Sequence, residues 1–277
     1  MSQKKQEYVL GTGLDELSRL GIQHRIWADA AVTAWRKAGI GPGRRVLDLG
    51  CGPGHATFDM AQLVTESGHI LALDESTEFI DKLNAQAKQR ELTQILAKVA
   101  DAQNFSSQLK IKNSFDHVYC RWVLCWLKDP FQALSEIHQT LKPGGRVILH
   151  DYFNWRSMCL APRSQAVEKM VQAAVSSFED RSGNVDVAAD VPGYLKRLGF
   201  RTLHFDVIER VVLGGGQDST AAWPLSWWRS YGPKLVQIGK LSQTDCEQAL
   251  NDLNRLENSD DCFFVCPPVF EFIAEKI

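Results

Sequence analysis

Between residues 44 and 151 short apolar runs alternate with amphipathic segments, and this alternation constrains the fold more than any other feature of the 277-residue chain. "RRVLDL", "ILALD", "ILAKVAD", "FDHVYCR" and "RVILHD" read as strands covered on both faces. "HATFDMAQLVTE", "STEFIDKLNAQAKQR" and "DPFQALSEIHQTL" read as the helices between them. Ser76 opens the second of these with Glu78 in its first turn, and Asp129 caps the third with Pro130 at its first position. Such a series means βαβ units, a parallel sheet and right-handed crossovers.

The flanks are less regular. Residues 13 to 38 predict a helix capped by Asp15 and broken by "GIGPG". Beyond residue 151, helices are expected over "RSQAVEKMVQAAVSSFED" and "VAADVPGYLKRLGF", and a strand over "RTLHFDVIERVV". Residues 216 to 260 look mostly helical, and "CFFVCPPVFEF" begins as a strand whose double proline puts its end at a sheet edge or exit.

The first strand runs into "DLGCGPGH". Gly50, Gly52 and Gly54 let the backbone turn tightly and approach a ligand, and the helix that follows starts with free N–H groups. Asp74 ends the second strand, 26 residues after Asp48, where a carboxylate can accept from both hydroxyls of a ribose. This much suits either a dinucleotide or S-adenosylmethionine. The dinucleotide fingerprint G-x-G-x-x-G/A needs a small third residue for close helix packing, and here His55 stands in that place. Asp48, just ahead of the turn, would repel a pyrophosphate and attract a sulfonium or an ammonium group. No G-K-[ST] follows, so the turn is not a Walker loop.

At this point the chain resembles class I S-adenosylmethionine-dependent methyltransferases, and within them the small-molecule enzymes of the ubiquinone/menaquinone C-methyltransferase type. The resemblance covers residues 40 to 151 and rests on five segments in order: "VLDLGCGPG", "LALDES", "VADAQNF", "FDHVYCRWVLCWLKDP" and "LKPGGRVILHD". It implies an α/β, Rossmann-like, doubly wound sheet of seven strands with the last antiparallel. On that pattern strand six is "RTLHFDVIER" and strand seven "CFFVC". The expected division is a helical N-terminal cap over 1–40, a core over 41–215 and 261–277, and a helical lid over 216–260 between strands six and seven.

The resemblance also implies site roles. Asp48, Gly50 and Gly52 line the methionine part of the cofactor, Asp74 holds the ribose, Glu75 is a further cofactor contact, and Asp101 with Ala102 meets the adenine. Arg121, leaving strand four, lies beside the methionine moiety. "EYVLGTGLDELSRLGIQHRIW" is similar to an element that closes over the cofactor in some of these enzymes, which makes Tyr8, Gln23 and Trp27 candidate contacts.

Methyl transfer is an in-line displacement that needs alignment and a dry site more than acid–base groups, and no catalytic triad is visible. If a base is used, His150 in "HDYFNW" is the first candidate because imidazole titrates near neutrality; His24 is the second, and His55 reads as a capping or surface group. The insertion is rich in aromatic residues at "WPLSWWRSYG". Trp227, Trp228 and Tyr231, with Trp122, Trp126 and Tyr152 from the ends of strands four and five, are expected to form a pocket for a small aromatic or lipophilic acceptor. The rival reading is a catalytically silent S-adenosylmethionine-binding module.

Composition removes other classes. The formal net charge is -2, from 31 basic and 33 acidic residues, without the basic surplus of a general nucleic-acid binder. No run of 18 apolar residues predicts a membrane span, and the polar start "MSQKKQEYVL" points to a cytoplasmic protein. Seven cysteines, an odd number among apolar neighbours, are expected to be reduced and buried, and Cys262 and Cys266 have no second Cys/His pair that would make a metal site.

Overall fold

The computed structural model describes residues 13–216 and 219–277. Tyr8 lies outside the described residues. Helix α1 (Leu14–Ala38) comes first. Its N-cap is Gly13 rather than Asp15, which sits in the first turn, and Gly39 at φ 86° closes the helix. The predicted alternation follows: β1 (Arg45–Leu49), α2 (His55–Val64), β2 (His69–Asp74), α3 (Thr77–Gln89), β3 (Ile95–Val99), the short α4 (Phe105–Leu109), β4 (Phe115–Arg121), α5 (Pro130–Thr140) and β5 (Leu141–Tyr152). Ser76 caps α3 by accepting from Phe79 N–H at 3.2 Å, and Asp129 caps α5 by accepting from Gln132 N–H at 2.9 Å.

The second half contains β6 (Cys159–Ala161), α6 (Gln165–Glu179), α7 (Val191–Arg197), β7 (Phe200–Ile208), β8 (Val211–Leu213), α8 (Ala222–Gln237), α9 (Gln243–Leu253), α10 (Arg255–Asn258), β9 (Phe263–Val265) and β10 (Val269–Lys276). Seven strands form one sheet in the order β3-β2-β1-β4-β5-β10-β7. β1 to β5 are parallel neighbours, and β10 runs antiparallel to both β5 and β7. The order reverses at β1, where β4 sits on one side and β2 on the other, and the carboxyl ends of the strands meet there in a crevice.

One strand assignment is corrected. "CFFVC" does not enter the main sheet: its strand β9 lies between β6 and β8 in a separate three-stranded sheet. The antiparallel seventh strand is β10, beyond Pro267 and Pro268. The prolines cannot donate ladder hydrogen bonds, so they divide two strands rather than end one. "KPGG" is taken into β5 as an irregularity, and the register with β4 jumps from Phe115↔Leu141 to His117↔Arg146.

Trp35, Tyr119 and Ile148 help to fill the core beneath α1 and α2. The larger core continues from the other face of the sheet through α5 and α6 into α8 and α9. The cysteines are free thiols, buried except for the half-buried Cys159. Among the described residues no helix is long and apolar enough to cross a membrane, and no His/Cys/Asp/Glu group could hold a metal ion.

Candidate active site

A cavity of about 360 Å³ opens where β1, β2, β3 and β4 end. The glycine turn forms its floor. Gly50 (φ +72°) and Gly54 (φ +93°) serve packing, because an added Cβ would stand 2.2 Å from Val123 Cγ2 and 2.7 Å from Leu83 Cγ. Gly52 (φ +53°) is different: a Cβ there would meet nothing within 4 Å. Its missing side chain leaves the turn open on the cavity side, where a ligand can approach the backbone.

Carboxylates surround this floor. Asp74 ends β2 and accepts from Gly52 N–H at 2.8 Å with Oδ2 and from Ser76 N–H at 2.9 Å with Oδ1. Burial raises its pKa against those hydrogen bonds. Asp48, 2% exposed, takes a hydrogen bond from Thr57 Oγ1 at 2.6 Å, and burial pushes its pKa up to about 6. Glu75, Asp101 and Ala102 also line the cavity, and Asp101 Oδ1 holds Gln103 N–H at 2.8 Å.

Helix α1 crosses the mouth and brings Arg19, Gln23 and His24 to the cavity. Arg121, at the end of β4, donates from Nη2 to His24 Nδ1 at 3.1 Å. Guanidinium only donates, so Nδ1 is the acceptor and His24 Nε2–H points to Asp59 Oδ2 at 2.8 Å. His55 stacks on His24 with ring centroids 5.6 Å apart and lines the cavity instead of facing solvent. Burial, then His24 and Arg121, lowers its pKa to about 4, so its ring is neutral at pH 7.

The far side of the cavity is aromatic. Trp122, Trp126 and Tyr152 reach it as expected, and Trp227 is the one residue of the insertion's aromatic group to do so. Trp228 and Tyr231 are fully buried on the inner side of α8, where the Tyr231 hydroxyl lies 2.7 Å from Ser177 Oγ. Trp27 is 2% exposed and does not line the cavity; it packs edge-on against Trp122 and Trp223. Trp155 and Phe178 complete the aromatic wall, Trp126 lying 4.1 Å from Phe178 and Trp155 5.6 Å. These two were missed because nothing local separates them from ordinary core aromatics.

His150 is absent from the cavity lining. It is 2% exposed, with Nε2 2.9 Å from Glu271 Oε2 and Nδ1 3.2 Å from the Tyr119 hydroxyl. Both ring nitrogens are occupied inside the sheet, and burial lowers its pKa. The antiparallel pairing of β10 on β5 sets Glu271 opposite His150 and gives the imidazole a structural partner.

Comparison with known proteins follows the same outline. A demethylmenaquinone methyltransferase from Lactococcus lactis is 32% identical over 126 residues, 46% of this chain and 48% of that protein. A ubiquinone/menaquinone biosynthesis C-methyltransferase from Vibrio cholerae is 29% identical over 140 residues, 50% of this chain and 51% of that protein. The chain thus spans about half the length of these curated relatives. Among solved structures, a putative methyltransferase from Bacillus halodurans shares the fold, with a TM-score of 0.59 and 17% identity over 89% of this chain and 98% of that one. The model of the methyltransferase domain matches residues 40–191, more than half of the chain, and the protein belongs to that family.

Proposed function

We propose that this protein transfers a methyl group from S-adenosylmethionine to a small aromatic or lipophilic acceptor by in-line displacement. The carrying observation is that one cavity joins a carboxylate-edged glycine turn to an aromatic wall. The Asp48 carboxylate and the open backbone at Gly52 suit the ammonium and sulfonium end of the cofactor, and Asp74 with Glu75 suits its ribose. Asp101 and Ala102 line the remaining, adenine, end. When bound, S-adenosylmethionine supplies a methyl group whose carbon–sulfur bond breaks, with the electron pair going to sulfur, as an acceptor lone pair bonds to the carbon.

The chain's own residues align and dry this site. The His24 contacts to Arg121 and Asp59 tie α1 across the mouth, where Gln23 also lines the cavity, while Trp126, Tyr152, Trp155 and Trp227 supply an apolar surface. On this reading α1 and the helices of 216–260 form the cover over the 41–215 and 261–277 core, and α1 packs on α8. No base is assigned to His150, whose nitrogens are engaged away from the cavity. The acceptor is a small molecule rather than a nucleic acid, in keeping with a net charge of -2.

Isothermal titration with S-adenosylmethionine and S-adenosylhomocysteine, followed by transfer of radiolabelled methyl to a panel of aromatic acceptors, tests the proposal. Binding of neither cofactor form by the folded protein rejects it. Binding without turnover across the panel favours a silent cofactor-binding module.

A further inference from the structure

The cavity is electrostatically divided. Its acids, Asp48, Asp74, Glu75 and Asp101, all belong to the ends of β1, β2 and β3 or the residues just after them. Among the described residues the lining has no other carboxylate, and beside its aromatic members stand cations: Arg19 lies 5.2 Å from the Trp227 ring, Arg181 N–H donates to Phe178 O at 3.0 Å, and the exposed Lys128 follows Trp126 by two residues. Arg19 is neutralised by Glu16, which receives its guanidinium at 2.6 and 2.8 Å. Arg181 and Lys128 are not: among the described residues neither makes an ion pair or a side-chain hydrogen bond.

The Arg181 backbone is held in place. It lies in the turn after α6, where Gly183 N–H donates to Phe178 O at 2.9 Å and Asn184 N–H to Cys125 O at 2.9 Å. This docks the turn on the segment that carries Trp126 and leads to Lys128. An added Cβ at Gly183 would stand 2.7 Å from Cys125 O, so the turn has no slack there. Burial lowers the pKa of nearby Lys234, with Glu16 opposing the shift and Arg19 and Arg181 adding to it.

A half-buried guanidinium with no carboxylate against it, next to the tilted rings of Phe178, Trp126 and Trp155, can donate charge-assisted hydrogen bonds to an anion that enters the cavity. We propose that the methyl acceptor is a flat oxyanion, its ring packed among Trp126, Trp155, Phe178 and Trp227 and its carboxylate or phosphate paired with Arg181 and Lys128. This rests on the methyl-transfer reading and narrows its acceptor class. The cation of the cofactor and the anion of the acceptor then occupy opposite ends of one cavity, which sets their order along it.

The test is isothermal titration of the full chain, with and without saturating S-adenosylhomocysteine, using 2-naphthoate, 2-naphthyl phosphate and the neutral 2-naphthalenemethanol. The expected result is an anion preference of about tenfold over the alcohol, the size of a charge-assisted hydrogen bond. In Arg181→Gln the preference falls severalfold, and in the Arg181→Gln/Lys128→Gln double variant it vanishes, while S-adenosylhomocysteine binding reports that each variant is folded. Tighter binding of the phosphate or of the carboxylate tells which oxyanion the site takes. Equal or better binding of the alcohol, no binding of any naphthalene, or a preference that survives the double variant overturns the proposal. Failure of S-adenosylhomocysteine to bind wild-type protein that still prefers naphthoate rejects the methyl-transfer reading and leaves the anion site standing.

Discussion

Asp74 Oδ2 accepts the backbone N–H of Gly52 at 2.8 Å, so the acid that ends β2 also holds the glycine turn that follows β1. One carboxylate therefore shapes the floor of the cavity and faces its contents. Asp74→Ala removes the Gly52 and Ser76 hydrogen bonds together with the proposed ribose contact. Charged hydrogen bonds are worth roughly 1.5–3 kcal/mol each, so S-adenosylhomocysteine affinity is expected to drop by at least about tenfold. Calorimetric titration of the variant checks this, and an unchanged Kd refutes the ribose assignment.

The two glycines of the turn are expected to separate stability from binding. Gly50→Ala places a Cβ 2.2 Å from Val123 Cγ2 at φ +72° and should cost about 2 kcal/mol or more of stability. Gly52→Ala carries only the backbone cost of φ +53°, about 1 kcal/mol, since nothing lies within 4 Å. Urea unfolding should rank the variants in that order. Gly52→Ala, although folded, should bind S-adenosylhomocysteine more weakly than wild type.

Asp48 makes stability depend on pH in a defined sense. Its folded pKa of about 6 stands above the reference value of 3.8, because burial penalises the carboxylate more than Thr57 and Arg121 favour it. The folded state therefore binds the extra proton between these values. The contribution of Asp48 to stability is largest below pH 3.8 and is lost as pH rises through about 6, by roughly 2–3 kcal/mol in all. Asp48→Asn should accordingly gain stability relative to wild type as pH rises from 4 to 6.5, measured by urea unfolding at each pH. Cofactor binding should move the opposite way. Wild-type affinity for S-adenosylmethionine, which carries a sulfonium and an ammonium group, is expected to weaken as Asp48 takes up its proton below pH 6, and Asp48→Asn to lack that pH dependence.

His150 is expected to behave as part of the sheet. His150→Phe leaves Glu271 Oε2 and the Tyr119 hydroxyl without their buried partner and should cost about 2–4 kcal/mol of stability. S-adenosylhomocysteine affinity of the folded variant should be unchanged. A variant with wild-type stability would show that the imidazole does not hold this part of the sheet together.

The division between sequence and tertiary structure follows the range of the interactions. Local interactions set the alternation of β1 to β5 with their helices, the caps at Ser76 and Asp129, and the glycine turn edged by Asp48 and Asp74, so these were legible in the chain itself. Each is decided within a few residues, by side-chain periodicity, capping or φ. Long-range pairing decided the rest. Whether "CFFVC" or Val269–Lys276 joined the main sheet depended on which strand β5 and β7 could accept, and both segments are short and rich in strand-forming residues. That choice set Glu271 opposite His150 and drew the imidazole into the sheet. It was likewise the docking of α1, the turn after α6 and α8 over the strand ends that selected Trp227 for the cavity and buried Trp228 and Tyr231. The same packing brought Trp155, Phe178 and Arg181 to the cavity. A side chain's type is local, but which surface it faces is settled only when distant segments pack and the apolar area they share leaves water.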